Sequence, residues 1–124
     1  MPVERPQIDK PEGDIPSDLG IEDIVVGDGA EATSGHKVSV HYVGVAFSTG
    51  EEFDASWNRG APLDFRLGVG QVIRGWDEGI VGMKVGGRRK LVIPAHLAYG
   101  DRGAGGAIKP GETLIFVVDL VDVR

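Results

Sequence analysis

Alternating apolar and polar positions predict β-strands along much of the chain. The alternation is clearest in residues 37–47, where Val38, Val40 and Tyr42 fall on one face of a strand and Ser39 falls on the other. A period of two residues is typical of a half-buried strand. Weaker or shorter alternation predicts further strands over residues 51–56, 63–67 and 88–93.

The C-terminal segment, residues 113–124, has the strongest strand pattern. Leu114 and Phe116 share one face, and Ile115 and Val117 on the opposite face are apolar as well. A continuous apolar run of this kind is typical of a fully buried strand. We therefore expect this strand at the centre of a sheet that is covered on both sides.

One segment, residues 72–83, has the period of an α-helix. Its apolar stripe consists of Ile73, Trp76, Ile80 and Met83. The segment also contains three glycines, each of which weakens a helix by up to about 1 kcal/mol relative to alanine, so we expect a short helix. Several antiparallel strands and one helix make an α+β domain, in which the helix covers the apolar face of the sheet. The expected fold is a twisted antiparallel β-sheet of about five strands wrapped around one short α-helix.

Glycine and proline divide the chain into a tail and one domain. The 124 residues include 20 glycines, more than twice the usual share of about 7%, and these glycines separate the apolar runs. A chain of this length forms one domain. Residues 1–18 hold four of the seven prolines, several acidic side chains and few apolar ones. We expect them to form an acidic, proline-rich flexible tail, followed by a compact domain over residues 19–124.

Charge and cysteine content narrow the possible function classes. A net charge of −6 repels phosphate backbones and argues against a nucleic-acid partner. The absence of cysteine excludes disulfides, thiolate metal sites and cysteine nucleophiles. No run approaches the roughly 18 apolar residues of a membrane span, and the charged N-terminus lacks the apolar region of a secretory signal. We therefore expect a cytoplasmic protein without a membrane partner.

The polar residues do not form a pattern that indicates covalent, metal or phosphate chemistry. The serines lack a nucleophile-elbow motif, and the three histidines lack the spacing of a metal site. The glycine-rich stretches at 68–75 and 100–106 fit neither a dinucleotide fingerprint nor a P-loop. We expect at least one side chain of the basic triplet at residues 88–90 to point into solvent, and we interpret the triplet as part of a solvated face rather than as an anion site.

Aromatic residues are the remaining candidates for a binding site. Asp54 directly follows Phe53, and the two tyrosines carry hydroxyl groups that need partners if they are buried. An apolar pocket with a few convergent polar groups is the usual form of a small-ligand site. The aromatic residues near element ends and loops are Tyr42, Phe53, Phe65, Trp76, Tyr99 and Phe116.

A series of short motifs covers the chain from about residue 20 to its end. The motifs lie at residues 40–44, 53–56, 71–79, 83–86, 93–94, 97–100, 108–110 and 113–120. The most specific combination is V-I-x-G-W-x-x-G followed at a fixed interval by A-Y-G. In order and spacing, the chain resembles the FKBP-type peptidyl-prolyl cis-trans isomerases, the macrolide-binding immunophilins, whose sheet wraps around one short helix.

The resemblance implies an apolar pocket between helix and sheet with a tryptophan as its floor. The residues implied to be catalytic are Asp54, Tyr42, Tyr99, Trp76 and Phe116. Those implied to bind substrate or ligand are Phe53, Arg59, Leu63, Phe65, Gln71, Val72, Ile73 and Ile108. The backbone N–H of Ile73 and the hydroxyl of Tyr99 would bind carbonyl groups. Asp54 would form a polar wall tied to Tyr42 and Arg59. The resemblance implies no metal ion and no cofactor.

The chain departs from the family pattern at the rim of this pocket. Leu63 stands where an aromatic residue is common. Gln71 stands where a glutamate is frequent, at a position where the family uses the backbone carbonyl. The loop at residues 103–107 has small side chains in place of bulkier ones, and that loop shapes the preference for macrolides and peptides.

The resemblance implies a peptidyl-prolyl cis-trans isomerase that accelerates rotation about X–Pro bonds and assists protein folding. Its partners would be proline-containing polypeptides and inhibitory macrolides of the FK506 and rapamycin type. We expect a monomer, because covering the sheet face leaves no apolar patch. The alternative is a non-catalytic module that holds a prolyl peptide or a partner in the same pocket. The presence of Tyr42, Asp54 and Trp76 favours the enzyme.

Overall fold

The sheet is built around two ten-residue strands that pair with each other. The computed structural model describes residues 5, 6 and 8 and the ranges 16–103 and 108–124. In chain order the elements are β1 (Gly20–Val25), β2 (Lys37–Ala46), β3 (Glu52–Ala55), β4 (Leu63–Arg66), α1 (Arg74–Gly79), β5 (Arg88–Ile93) and β6 (Leu114–Val123). Two 3-10 turns lie at Ser56–Asn58 and Ala95–Leu97. The small-residue positions 104–107 and most of the predicted tail lie outside the described residues.

The strands form one antiparallel sheet in the order β1-β5-β6-β2-β3. β6 lies at the centre, as its two apolar faces predict. The strands β3 and β4 share the other edge of β2, where β4 pairs with residues 37–40 and β3 with residues 43–45. The α+β fold predicted from the sequence is confirmed. The sheet has six strands rather than about five, because the apolar run near residue 21 forms an edge strand.

The helix is shorter than its apolar stripe. α1 has six residues, and Trp76, Ile80 and Met83 are buried in the core, as the spacing predicts. The chain turns away at Gly82, whose φ of 94° is a conformation that residues with a side chain rarely adopt. Among the described residues, no helix has the length and apolarity that crossing a membrane requires.

Two glycines bring α1 close to β5. A Cβ atom at Gly75 would lie 2.5 Å from Cγ2 of Ile93, and one at Gly79 would lie 2.8 Å from Cδ2 of Leu91. Neighbouring atoms in a close-packed core leave no room for an extra methyl group at such distances. The glycines that weaken the helix locally are therefore the ones that let it approach the sheet.

The outer face of the sheet, opposite α1, carries a second apolar cluster. Its buried members are Val43, Val45, Ala55 and Ile115, with Ile8 and Trp57 packed against them. Pro6 is also buried, and Arg5 forms an ion pair with Glu52. Described residues of the N-terminal segment therefore contact the β3 region. The flexible tail over residues 1–18 stays a prediction, because most of those residues lie outside the described part.

The two arginines of the basic triplet are largely withdrawn from solvent. The side chain of Arg88 is 15% exposed and bonds to Asp119 at 2.7 Å, and that of Arg89 is 10% exposed and bonds to Asp23 at 2.6 Å. The interpretation as a solvated face does not apply to these two arginines, whereas Lys90, the third member of the triplet, is partly exposed. Each arginine faces a carboxylate from a neighbouring strand, and local sequence does not reveal that pairing.

The apolar run of β1 lies partly on the surface. Ile21 is 50% exposed, Ile24 is 49% exposed, and Val26 just beyond the strand is 73% exposed. The premise that covering the sheet leaves no apolar patch is therefore wrong at this edge. The argument for a monomer therefore fails at this edge, and the monomeric state stays a prediction.

Replacing Gly75 by alanine is expected to lower the free energy of unfolding by about 1–3 kcal/mol, the usual cost of overpacking a core. The added methyl group gains up to about 1 kcal/mol in helix propensity, but it collides with Ile93. Denaturant titration followed by tryptophan fluorescence measures the change. The matched control is Gly20→Ala, because a Cβ atom there meets Cβ of Val92 at an ordinary 3.4 Å. Equal stability of the two variants would contradict the close-approach explanation.

Candidate active site

A cavity of about 460 Å³ lies between α1 and the inner face of the sheet. The strands supply one side, and the segment that leads into α1 supplies the other. A third part of the wall comes from residues 98–99, directly after the second 3-10 turn. The lining residues are Tyr42, Phe53, Asp54, Leu63, Gly70, Gln71, Val72, Ile73, Trp76, Ala98, Tyr99 and Phe116.

Trp76 lines this cavity from α1 and is only 4% exposed. Its ring meets Tyr42 edge-on at 4.9 Å between centroids and Phe116 at 5.1 Å. Phe65 packs against it at 5.7 Å from within the core. Edge-to-face pairs of this kind each contribute about 0.5–1.5 kcal/mol beyond the burial of their area. The indole ring of Trp76 is therefore held in place from several sides.

Gly44 leaves room for the rings of Phe53 and Phe116, two residues that line the cavity, to contact each other. It lies opposite Phe116 in the β2–β6 register. A Cβ atom at this position would lie 2.7 Å from ring atoms of both Phe116 and Phe53. The two rings contact each other edge-on, with centroids 5.5 Å apart, above the backbone of the glycine. A larger residue at this position would push the rings into the cavity or apart.

The polar wall of the cavity consists of Tyr42, Asp54 and Arg59. The Tyr42 hydroxyl donates to Oδ2 of Asp54 at 2.6 Å and accepts from Nη2 of Arg59 at 2.8 Å. Nη1 of Arg59 donates to Oδ1 of Asp54 at 3.1 Å. The side chains of Asp54 and Arg59 are 45% and 50% exposed. The three groups therefore form a closed hydrogen-bonded set at the mouth of a mostly apolar cavity.

Both tyrosines at the site remain neutral donors at neutral pH. Burial is the main cause that raises the pKa of Tyr42, and its hydrogen bond to Asp54 raises that pKa further. Burial also raises the pKa of Tyr99, and the charge of Asp54 adds to the effect. The Arg59 guanidinium opposes the shift at Tyr42 without reversing it. The cavity therefore presents hydroxyl groups rather than phenolates to a ligand.

The loop before α1 is held by the first turn of the helix. The carboxylate of Asp77 accepts the backbone N–H groups of Gly68 at 2.8 Å and Gly70 at 2.9 Å. The side-chain oxygen of Gln71 accepts the backbone N–H of Arg66 at 2.8 Å, which ties the same loop to β4. These bonds set the position of the wall at residues 72–73.

The cavity brings together most of the residues that the family resemblance implies. Ten of them line it: Tyr42, Phe53, Asp54, Leu63, Gln71, Val72, Ile73, Trp76, Tyr99 and Phe116. Arg59 joins the group through its bonds to Asp54 and Tyr42. Phe65 and Ile108 are not among the lining residues; both belong to the buried core cluster, in which Phe65 packs against Trp76. In the described part of the chain, no group of three or more acidic or histidine side chains could hold a metal ion.

Sequence reasoning missed three residues that shape the site. Gly70 and Ala98 line the cavity with little or no side chain, so their types carried no chemical signal. Asp77 was overlooked because its carboxylate acts on backbone N–H groups seven and nine residues earlier. An acidic residue in the first turn of a helix, after a glycine-rich loop, is the available sequence signal for this interaction.

The titration of the two tyrosines tests the environment of the cavity. Tyr42 and Tyr99 are the only tyrosines in the chain, and the folded state raises the pKa of both. Their contribution to stability is present below the unfolded value of about 10 and is lost as pH rises through the folded pKa values. Tyrosinate absorbance is therefore expected at higher pH in the folded protein than in denaturant. If tyrosinate absorbance appears in the folded protein at the same pH as in denaturant, or at a lower one, while circular dichroism still shows a folded chain, then the cavity does not raise the pKa of the tyrosines.

Comparison with known proteins agrees with this geometry. The model of the family described as FKBP-type peptidyl-prolyl cis-trans isomerase matches residues 29–121. An FK506-binding protein of Streptomyces anulatus is 72% identical over 124 residues, which cover 99% of this chain and 100% of that protein. A peptidyl-prolyl cis-trans isomerase of Saccharomyces cerevisiae is 51% identical over 106 residues, which cover 86% of this chain and 76% of that protein.

A solved structure shows the same fold. The crystal structure of AtFKBP13 superposes with a TM-score of 0.80 at 46% sequence identity, covering 88% of this chain and 95% of that one. The family match spans most of the sheet, α1 and the polar wall of the cavity. The chain therefore belongs to the FKBP-type peptidyl-prolyl cis-trans isomerase family.

Proposed function

We propose that this chain accelerates cis–trans rotation about X–Pro peptide bonds in the cavity above Trp76. The observation that carries the proposal is the composition of that cavity, whose lining is mostly aromatic and aliphatic, with the hydrogen-bonded Tyr42 and Asp54 and the Tyr99 hydroxyl as polar groups. Family membership makes the chain a peptidyl-prolyl isomerase. The residues that perform the reaction are our proposal.

The reaction requires a lower barrier rather than a new bond. Amide resonance opposes rotation by about 18–20 kcal/mol. The cis and trans forms of an X–Pro bond differ by only about 0.5–1 kcal/mol, yet uncatalysed exchange takes tens to hundreds of seconds. An enzyme for this reaction therefore needs no nucleophile, base or cofactor.

An apolar cavity favours the twisted amide over the planar one. Resonance is lost at the transition state, and the amide then carries a smaller dipole. Water stabilises the dipolar planar form more than it stabilises the twisted form, so exclusion of water lowers the barrier. The rings of Trp76, Phe53 and Phe116 supply such surroundings. A proline ring placed on the indole of Trp76 would be held on a rigid, apolar surface.

Two hydrogen-bond donors hold the peptide on either side of the rotating bond. Ile73 lies directly before α1 and lines the cavity, and we assign its backbone N–H to one substrate carbonyl. The Tyr99 hydroxyl, which burial keeps protonated, is assigned to another. Fixing the carbonyls on both sides leaves rotation about the X–Pro bond as the remaining freedom.

Asp54 acts as an orienting and electrostatic group, not as a proton carrier. Its carboxylate accepts hydrogen bonds from the Tyr42 hydroxyl at 2.6 Å and from Nη1 of Arg59 at 3.1 Å. These bonds hold the three side chains in one arrangement on the polar wall. The carboxylate also faces the cavity, where its negative charge acts on the reacting amide through a medium of low dielectric constant.

The same cavity would bind macrolides of the FK506 and rapamycin type. Its volume of about 460 Å³ is within the range of about 300–1,000 Å³ that is usual for ligand pockets. The name of the Streptomyces anulatus relative refers to FK506 binding, which supports the proposal.

We further propose that the chain assists protein folding as a cytoplasmic monomer, with residues 19–124 as its domain.

The isomerisation rate of a short X–Pro–Phe peptide tests the proposal. We expect the wild-type protein to accelerate cis–trans exchange measured by NMR, and near-stoichiometric rapamycin to abolish the acceleration by filling the cavity. A folded protein that binds rapamycin without accelerating exchange would be a binding module that uses the same cavity. A folded protein that does neither would refute the assignment of function to this cavity.

Asp54→Ala is expected to lower kcat/KM by about tenfold, equivalent to ~1.4 kcal/mol, without abolishing activity. The variant loses the orientation of Tyr42, but the apolar floor remains. The control is Asp28→Ala, which removes the same charge from an exposed position outside the cavity. Loss of all activity in Asp54→Ala would point to a direct chemical role for the carboxylate, and unchanged activity would remove it from the site.

A further inference from the structure

The strand that carries Tyr42 changes partners at Tyr42. Along this edge, β4 pairs with residues 37–40 of β2, and β3 pairs with residues 43–45. His41 and Tyr42 lie between the two pairings, where neither strand continues the ladder. Continuing the β2–β3 register places Ser56 opposite Tyr42, but β3 has already ended and the chain has entered a 3-10 turn.

Ser56 supplies with its side chain the acceptor that a strand would supply with its backbone. The backbone N–H of Tyr42 donates to Oγ of Ser56 at 2.7 Å. Ser56 is fully buried at 0% exposure, so bulk water does not replace this acceptor. A buried N–H group that loses its partner bears the full cost of desolvation, so this bond holds the end of β3 against β2.

A second bond fixes the hydroxyl group of Ser56. Its Oγ lies 2.8 Å from Nδ1 of His41, so the oxygen that accepts from Tyr42 can donate its own proton to the imidazole. The His41 ring stacks on Trp57 with centroids 4.3 Å apart, and His41 lies opposite Asp119 in the sheet register. Ser56 therefore connects the outer face of the sheet to the strand that carries the polar wall.

The segment 54–59 contacts both the backbone and the side-chain hydroxyl of Tyr42. Ser56 accepts the backbone N–H of Tyr42 at the edge of β2. Asp54, two residues earlier, and Arg59, three residues later, bind its hydroxyl in the cavity. A shift of this segment relative to β2 would change both sets of bonds together.

We propose that Ser56 is a positioning residue for peptidyl-prolyl isomerisation, holding the segment 54–59 against β2 so that Asp54 meets the Tyr42 hydroxyl in the cavity. Ser56 does not line the cavity, so it acts through the other two residues. The inference rests on the proposed function of the cavity.

The test compares Ser56→Ala with wild type in the exchange assay, at a temperature at which both remain folded. We expect kcat/KM to fall by about tenfold, mainly through kcat, because the aromatic surface that binds the proline is unchanged. Ser39→Ala is the matched control. Ser39 is a buried serine on β2, the strand that carries Tyr42, and its hydroxyl bonds to Asp64 and Arg124 at the end of β2 away from the cavity. It should retain wild-type kcat/KM within about twofold.

A double-mutant cycle with Tyr42→Phe separates positioning from general destabilisation. If Ser56 acts through the Tyr42–Asp54 bond, Ser56→Ala should lower kcat/KM by less than about twofold once that bond is already absent. A merely structural role would lower activity equally in both backgrounds. The Tyr42 backbone amide should also exchange its hydrogen faster in Ser56→Ala than in Ser39→Ala.

The outcomes distinguish this inference from the proposed function. An active wild type with an unchanged kcat/KM in folded Ser56→Ala would overturn the positioning role and leave the cavity assignment intact. An equal loss in both backgrounds of the cycle would also overturn it. A folded wild-type protein without activity would instead refute the proposed function, and Ser56 would then have no reaction to serve.

Discussion

The contact between Trp76 on α1 and the aromatic side chains of the sheet is the interaction on which the other features depend. The indole meets Tyr42 and Phe116 edge-on, and it is nearly fully buried. α1 can place the ring there because Gly75 and Gly79 leave room for β5. The same ring stabilises the core and lines the cavity, so a rigid core also means a rigid cavity wall.

The division between apolar and polar groups in the cavity fits a reaction without covalent chemistry. Most of the wall is hydrocarbon or aromatic, and the charged groups lie at the mouth, where both Asp54 and Arg59 are about half exposed. A carboxylate in this position keeps its solvation and its partners while its field reaches the cavity. Complete burial of this ion pair would have required desolvation of both charges, whereas full exposure would have screened their effect.

Strand β2 connects the two faces of the molecule. Its inner side carries Tyr42 in the cavity, and its outer side packs against Trp57 and the N-terminal residue Ile8. Its edge changes partner from β4 to β3 beside Ser56. A strand that pairs with three others cannot move without disturbing all of them, so the polar wall is attached to one of the least mobile parts of the fold.

The types of element, the central place of β6 and, through the motifs, most of the residues around Trp76 could be predicted from the amino-acid pattern, because periodicity and motif spacing are local properties of the chain. Features that depend on distances between segments far apart in sequence emerged only once the chain was folded. Folding placed the Phe53 and Phe116 rings over Gly44, set Arg88 beside a carboxylate from β6, and left Phe65 and Ile108 outside the cavity lining. Residue types record such contacts only weakly, since a glycine or an arginine is compatible with many neighbours until the strands are paired.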